Sequence, residues 1–285
     1  MTAIIALPVK PGDKAKNTRR SFDKKLSFRI KIASFFVRIG SFLQELPVFI
    51  LQPRDLIGFG RLSYGKPGSV SFWTGEEFID SGLFPGEKEL FAELGENRGN
   101  LLLLGVGGGR EAIVLARSGF QVTGVDFVKE MVERSVANAR ERNVEIQGKV
   151  QEISRLDFPD ESFAVVWFSC SIYSAVPGKK NRIGMLNRVR RWLAPGGQVV
   201  CFFYWNPAVR QGRLRWRAGK ALSWITLGNF SCEKGDLLKN NQEFLHAFSD
   251  QEDVRAEFAA AGFEVVRFIY PEASHNAGAL LRRKN

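Results

Sequence analysis

The residues in this chain best placed to do chemistry are a run of glycines and one acid. Residues 105–109 read Gly-Val-Gly-Gly-Gly, directly after the apolar run LLLL at 101–104, and Arg110 and Glu111 follow. Asp126 stands 21 residues after Gly105, at the end of the next apolar segment, QVTGVD. Glycine lets the backbone turn sharply and lets a ligand come close to it. A helix starting just after the turn offers unpaired N–H groups. A carboxylate at the end of the next strand can accept both hydroxyls of a ribose. The combination predicts a nucleoside-cofactor site on a strand–loop–helix. The dinucleotide pattern G-x-G-x-x-G fits at Gly105 and Gly107 but fails at Arg110, so NAD is the weaker reading.

Such a site needs a sheet to hold it. From about residue 98, apolar segments alternate with helical patterns. LLLLGV (101–106), QVTGVD (121–126), FAVVWFSC (163–170) and QVVCFFYW (198–205) read as strands, with EIQGKVQEI (145–153) a weaker one. A helix over 250–261, a strand over 263–270 and a short strand over 278–284 close the chain. Strands apolar on both faces between helices predict an α/β, doubly wound and mainly parallel sheet. Residues 1–26, rich in Lys, Arg and Pro, read as disordered. Residues 28–46 read as a helix stopped by Pro47. Its polar residues Lys31, Ser34, Arg38, Ser41 and Glu45 form one narrow stripe. The rest of that helix must be buried on the protein itself (the default), on a second subunit, or in a lipid interface. The division expected is a basic N-terminal extension, 1–60, and a cofactor-binding domain, 61–285, with a substrate-side insertion over 206–240. No apolar run was expected to reach the ~18 residues of a membrane span.

The run LLLLGVGGGREAIVLARSGFQVTGVDFVKEMVERSV resembles the class I S-adenosylmethionine (SAM)-dependent methyltransferase family, and the likeness extends over about residues 70–285. In that family the loop reads roughly G-x-G-x-G, as Gly105, Gly107 and Gly109 do here. QEISRLDFPDESFAVVWFSCSIYS is similar to the family's stretch before and along the fourth strand. WLAPGGQVVCF is similar to the turn into the fifth. The resemblance implies a Rossmann-like sheet of seven strands and S-adenosyl-L-methionine as cofactor. It implies that the glycines cradle the methionine portion and ribose, that Asp126 binds the ribose hydroxyls, and that Phe127 lies against the adenine. Glu152 would hold the adenine amino group, with a backbone N–H from Ile153, and Ser169 completes the expected cofactor contacts. Two positions depart from the pattern: Leu103 stands where the family often has an acid, and Ala164 where it usually has Asp. The Asn/Asp-Pro-Pro-aromatic signature of many N-methyltransferases is missing after the fourth strand. Cys170 lacks the preceding proline of cytosine-5 enzymes and reads as a small packing residue.

The chemistry asks for positioning of an acceptor and, for many acceptors, a base; no metal is required. The chain has two histidines, His246 and His275. Both are expected near the carboxyl ends of the strands, with His275 slightly preferred as base. Tyr173 is a candidate lining residue of the acceptor pocket. The net charge of +11 is uneven: residues 162–232 hold 11 Lys and Arg and no acid, and residues 1–60 hold 11 against 4 acids. Such fields favour anionic partners. Arg and Trp interleave at 210–224, suiting a phospholipid surface, nucleic acid or a lid over a small anion. The leading expectation is an enzyme methylating a small or lipid-like acceptor, with peripheral contact to an anionic membrane. An RNA methyltransferase and a non-catalytic SAM- or nucleotide-binding protein are the alternatives. Three scattered cysteines and a start without a basic leader fit a cytoplasmic protein.

Overall fold

The computed structural model describes residues 13–95, 98–209, 213–240, 243–270 and 276–284. Two units are distinguished, residues 1–45 and 46–285. The boundary falls nearer the N-terminus than the division expected at 60. The described part of the first unit is residues 13–45 of helix α1 (Asp13–Ile50), whose last residues belong to the second. Residues 13–26 are therefore helical rather than disordered, while 1–12 lie outside the described residues. The segment Ser27–Ile50, whose most apolar stretch has a mean hydropathy of 1.3, is long and apolar enough to cross a membrane by length and composition. This corrects the sequence expectation, because a few charges interrupt the apolar run without lowering its average below that of a span.

Nor does Pro47 end α1. Proline removes one backbone donor, but the last turn, which itself belongs to the second unit, finds partners there. Leu51 N–H donates to the Pro47 carbonyl at 2.9 Å, and Asn229 serves the carbonyls of Val48 and Phe49 through its side-chain and backbone N–H at 3.1 and 2.8 Å.

In the second unit four short helices precede the sheet: α2 (Pro53–Tyr64), α3 (Pro67–Thr74), α4 (Glu76–Asp80) and α5 (Pro85–Ala92). Three of them begin on proline, whose fixed φ suits a first helical turn and whose missing N–H costs nothing there. Then come β1 (Asn100–Leu104), α6 (Arg110–Arg117), β2 (Gln121–Asp126), α7 (Lys129–Glu141), β3 (Gln147–Val150) and β4 (Phe163–Phe168). Helix α8 (Lys179–Trp192) and β5 (Leu193–Tyr204) follow, then α9 (Arg213–Ile225) and the hairpin β6 (Asp236–Lys239) and β7 (Glu243–His246). Helix α10 (Gln251–Ala260), β8 (Phe263–Ile269) and β9 (Asn276–Arg283) complete the chain.

The seven-stranded sheet has the order β3-β2-β1-β4-β5-β9-β8. Strands β1 to β5 pair in parallel, and β9 pairs antiparallel with both β5 and β8. Along β1, β4 and β5 alternate residues serve opposite cores. Leu102, Leu104, Val166, Phe168 and Phe203 lie in one, and Leu101, Leu103, Val165, Trp167 and Phe202 in the other. Helices on both faces make every position of these strands apolar, which is why they read as unbroken runs. The strand order reverses between β1 and β4, so a crevice opens beyond their carboxyl ends, where ligands bind in such sheets.

A buried ionic cluster ties α8 and α10 to the segment leading into the hairpin. Arg182, fully buried, donates through Nε and Nη2 to the two Glu257 oxygens at 2.9 and 2.7 Å, and through Nη2 to Glu233 at 2.7 Å. Tyr173 donates to the same Glu257 at 2.7 Å. Removing one partner of a buried pair strands the others without water. Arg182→Ala is therefore expected to lower the unfolding free energy by about 3–5 kcal/mol, measured as a fall in the denaturant midpoint at unchanged slope.

Candidate active site

The loop after β1 is shaped by two backbone requirements. Gly105 has φ +85°, and a Cβ there would lie 2.5 Å from Ile172 on the loop after β4. Gly107 has φ +50°, but a Cβ there would meet no atom within 4 Å, so its outer side opens into the cleft. Only glycine takes such backbone angles freely while leaving room for a ligand against the chain. Gly109 caps the N-terminus of α6 and backs onto Ser135 of α7 rather than lining the cleft.

Asp126 ends β2 and is fastened to this loop. Gly107 N–H donates to its Oδ2 at 3.2 Å and Val128 N–H to its Oδ1 at 3.0 Å. Burial pushes its carboxyl above the ordinary range, opposed by the N–H groups of Val128, Gly107 and Phe127. Phe127 packs against Tyr64 with ring centroids 6.5 Å apart, and Arg61 Nε holds its carbonyl at 3.1 Å. Helix α2 thus fixes the residue expected to face the adenine.

Two cavities share Ile57, Gly105, Asp126, Phe127, Ile172 and Ala175 as walls. The first, about 730 Å³, adds Glu152 and Ile153. Carboxylates flanking flat apolar surface suit the hydroxyls, exocyclic amine and faces of a nucleoside. The second, about 410 Å³, adds Gly107, Gly108, Glu111, Ser169 and Cys170. Seven of the eight expected cofactor residues therefore border one cleft, Gly109 being the one that does not. The open side of Gly107 and the pinned Asp126 fit the expected cofactor.

Behind the loop stands a chain of charges that the sequence reading missed. Arg110, in the position that spoils the dinucleotide pattern, grips Glu87 of α5 with both Nη atoms at 2.6 and 2.7 Å and reaches Glu111 at 2.9 Å. Ser169 in turn donates to Glu111. Two buried carboxylates share one guanidinium. Burial pushes Glu111 up to about 7, aided by Glu87 and opposed by Arg110 and Ser169. Leu103, where the family often has an acid, is wholly buried in the core. Glu111 brings a carboxylate to the cleft from α6 instead.

Of the expected base and acceptor residues, His246 and Tyr173 stand away from these cavities. His246 borders neither cavity. Its Nδ1 lies 2.7 Å from Asp236 and 3.4 Å from Glu233, the acid that Arg182 also holds, which makes it a member of the structural ionic cluster. Hairpin pairing of β6 with β7, which the sequence reading missed, turns it inward. His275 lies outside the described residues. Tyr173 is fully buried on Glu257 and stacks on Phe248, so it does not line the pocket either. Cys170 does border the second cavity rather than serving only as packing, at φ +46°, with Asn276 Nδ2 donating to its sulfur at 3.2 Å. Burial pushes its thiol up to about 11, which keeps it protonated. The walls that the sequence reading did not foresee come from α2 to α5 and from β7: Tyr64, Phe72, Trp73, Phe78, Phe84 and Glu243. The density of aromatics over 64–84 was their only signal.

Asp126→Ala is expected to weaken SAM binding by about 2–3 kcal/mol, as it removes charge-assisted bonds to the ribose, and calorimetry reads this directly. Glu111 predicts a stability profile. Its proton is held more tightly in the folded chain, so its contribution is fully present below the ordinary value of 4.5 and is lost as pH rises through about 7. Glu111→Gln should flatten the pH dependence of the melting temperature across that window.

Residues 101–197 match the family model described as a methyltransferase domain. A 79-residue stretch is 32% identical to the ubiquinone/menaquinone biosynthesis C-methyltransferase UbiE of Bdellovibrio bacteriovorus, covering 28% of this chain and about a third, 32%, of that protein. Among solved structures, a SAM-dependent methyltransferase from Methanosarcina mazei is similar with TM-score 0.55 and 21% identity over 71% of this chain and 99% of that one. The CcbJ methyltransferase of Streptomyces caelestis gives 0.52 and 19% over 72% and 92%, and DhpI in complex with SAH gives 0.55 and 19% over 80% and 97%. At these identities the solved structures speak for the fold, which is the same seven-stranded arrangement. Residues 101–197 are thus a methyltransferase domain, carried on a fold shared with solved SAM-dependent methyltransferases, and the glycine loop and strand-end acid fit SAM as its cofactor.

Proposed function

We propose that the protein transfers the methyl group of SAM to a small, largely apolar acceptor bearing an acidic O–H or C–H, with Glu243 as the group that takes up the proton. One observation carries this reading: the second cavity is walled by Tyr64, Phe72, Trp73, Phe78, Phe84 and Phe244, and among these rings opens Glu243 of β7, paired with Tyr64. Tyr64 donates its hydroxyl to Glu243. Burial, then Glu243, pushes the Tyr64 hydroxyl far above its ordinary value, so it stays protonated and acts as a fixed donor. Burial also raises Glu243, with Tyr64 and Lys239 opposing. A carboxylate in such surroundings is a stronger proton acceptor than one in water.

The bound cofactor supplies a methyl group already made electrophilic by its sulfonium. Asp126, Glu152 and Phe127 would hold the nucleoside in the first cavity, and the open loop at Gly107 with Glu111 would receive the amino-acid end. The aromatic walls hold a flat apolar acceptor and exclude water, which strengthens the interactions of Glu243 inside. The partial likeness to UbiE, a C-methyltransferase of quinone biosynthesis by its name, supports an aromatic or lipid-like acceptor.

With hydroxylated aromatic acceptors, formation of S-adenosylhomocysteine is expected. Glu243→Gln should lower kcat by about 10²–10⁴-fold, leave SAM affinity unchanged, and abolish the acid limb of the pH–rate profile. Wild-type turnover by a folded Glu243→Gln protein would remove Glu243 from the mechanism.

A further inference from the structure

Helix α9, RLRWRAGKALSWI, is built inside out. At 100° per residue, Leu214, Arg217, Ala218, Ala221, Trp224 and Ile225 fall within one arc of about 120°, and all six are exposed. The opposite side carries Gly219 and Ser223, both buried; Gly219 has no room for a Cβ because the Phe49 ring lies against it. A surface helix ordinarily turns its apolar stripe inward and its polar stripe to water. Here the inward side is small at Gly219 and Ser223, with Trp216 half-buried beside them, while the arc facing out is mostly apolar. Leu214 is 82% exposed, Ile225 79% and Trp224 69%.

The segment after α9 extends the same surface. Lys220 Nζ donates to the carbonyls of Phe230 and Cys232 at 2.8 and 3.2 Å, pinning the turn back on the helix. Phe230, exposed, meets Trp224 with ring centroids 5.1 Å apart. Leu227 sits at φ +52° while 67% exposed. A bulky residue in the left-handed region costs energy, and this one gains no burial in return. It gains contact only if something apolar covers it.

Charge decides what that cover is. Residues 206–232 contain Arg210, Arg213, Arg215, Arg217 and Lys220 and no acid. We propose that the outward face of α9, with Leu227 and Phe230, docks on an anionic phospholipid bilayer: the apolar arc enters the acyl boundary, Trp224 sits at headgroup level, and Arg217, exposed on the same arc, meets lipid phosphates within the acid-free basic stretch. Nucleic acid would be met by stacking platforms and polar groups, whereas Leu214, Ile225 and Leu227 offer neither. The first unit shows the same character independently, with Phe28, Phe35 and Phe36 exposed on a helix that also carries Arg29 and Lys31. This surface is separate from the cleft and does not depend on the acceptor's identity.

The test is co-sedimentation of the full chain with vesicles of phosphatidylglycerol and phosphatidylcholine, against phosphatidylcholine alone, at low and high salt. The combined variant Leu214→Ser, Trp224→Ser, Ile225→Ser removes only exposed side chains, and unchanged SAM affinity verifies its fold. The wild type is expected to bind the anionic vesicles, to lose binding as salt rises, and to bind at least tenfold more tightly than the variant. Absence of binding to anionic vesicles, or equal binding by the variant, overturns the proposal. So does a lipid-free dimer broken by the same substitutions, which would assign the face to a second copy, and so does salt-sensitive retention of RNA without vesicle binding.

Discussion

Asp126 accepts one backbone N–H from Gly107 and another from Val128, and through these two bonds the end of β2 is fastened to the loop after β1. The loop cannot relax away from the cleft without leaving a buried carboxylate unsatisfied, and the carboxylate cannot turn out without unmaking the loop. Gly105 is wedged against Ile172 on the far side, so the loop is held between β2 and the segment after β4. The aromatic walls of α2 are set in turn by Phe127, the residue following Asp126, through Tyr64 and Arg61. Glycine loop and aromatic wall thus share one anchor.

Two arginines solve the same electrostatic problem in different places. Arg110 and Arg182 are both buried, and each is shared between two carboxylates, Glu87 with Glu111 and Glu233 with Glu257. Desolvation makes such clusters indifferent contributors to net stability but strict about geometry, since losing one member is far worse than never having had the set. Around Arg182 the cluster also enlists His246 and Tyr173 and joins α8 and α10 to the hairpin. Around Arg110 it stands directly behind the glycine loop. The same device serves the frame in one case and the ligand cleft in the other.

The sheet and the cofactor half of the cleft were legible because their causes are local. A strand covered on both faces must be apolar throughout, a tight loop must be glycine, and Asp126 must end its strand. The acceptor half was not legible. Tyr64 and Glu243 are 179 residues apart and meet only through the packing of α2 on β7. Histidine was sought as a base because its ordinary pKa suits the task, but His246 was claimed by Asp236, and a buried glutamate had no mark in the sequence to distinguish it from a surface one. Pro47 misled for a related reason: the helix continues past it on partners supplied by Asn229, far along the chain.

Helices α2 to α5 lie outside the hydrogen-bonded ladder of the sheet, yet they furnish most of the aromatic wall of the second cavity. The cofactor end is made from strand termini, where one changed residue disturbs pairing, core and loop together. The two halves therefore differ in their tolerance of change. Substitutions at Phe72, Phe78 or Phe84 would reshape the second cavity without breaking a strand register, leaving the glycine loop and Asp126 in place. Selection acting on this chain has a soft wall and a hard wall to work with, and new substrates would be won at the soft one.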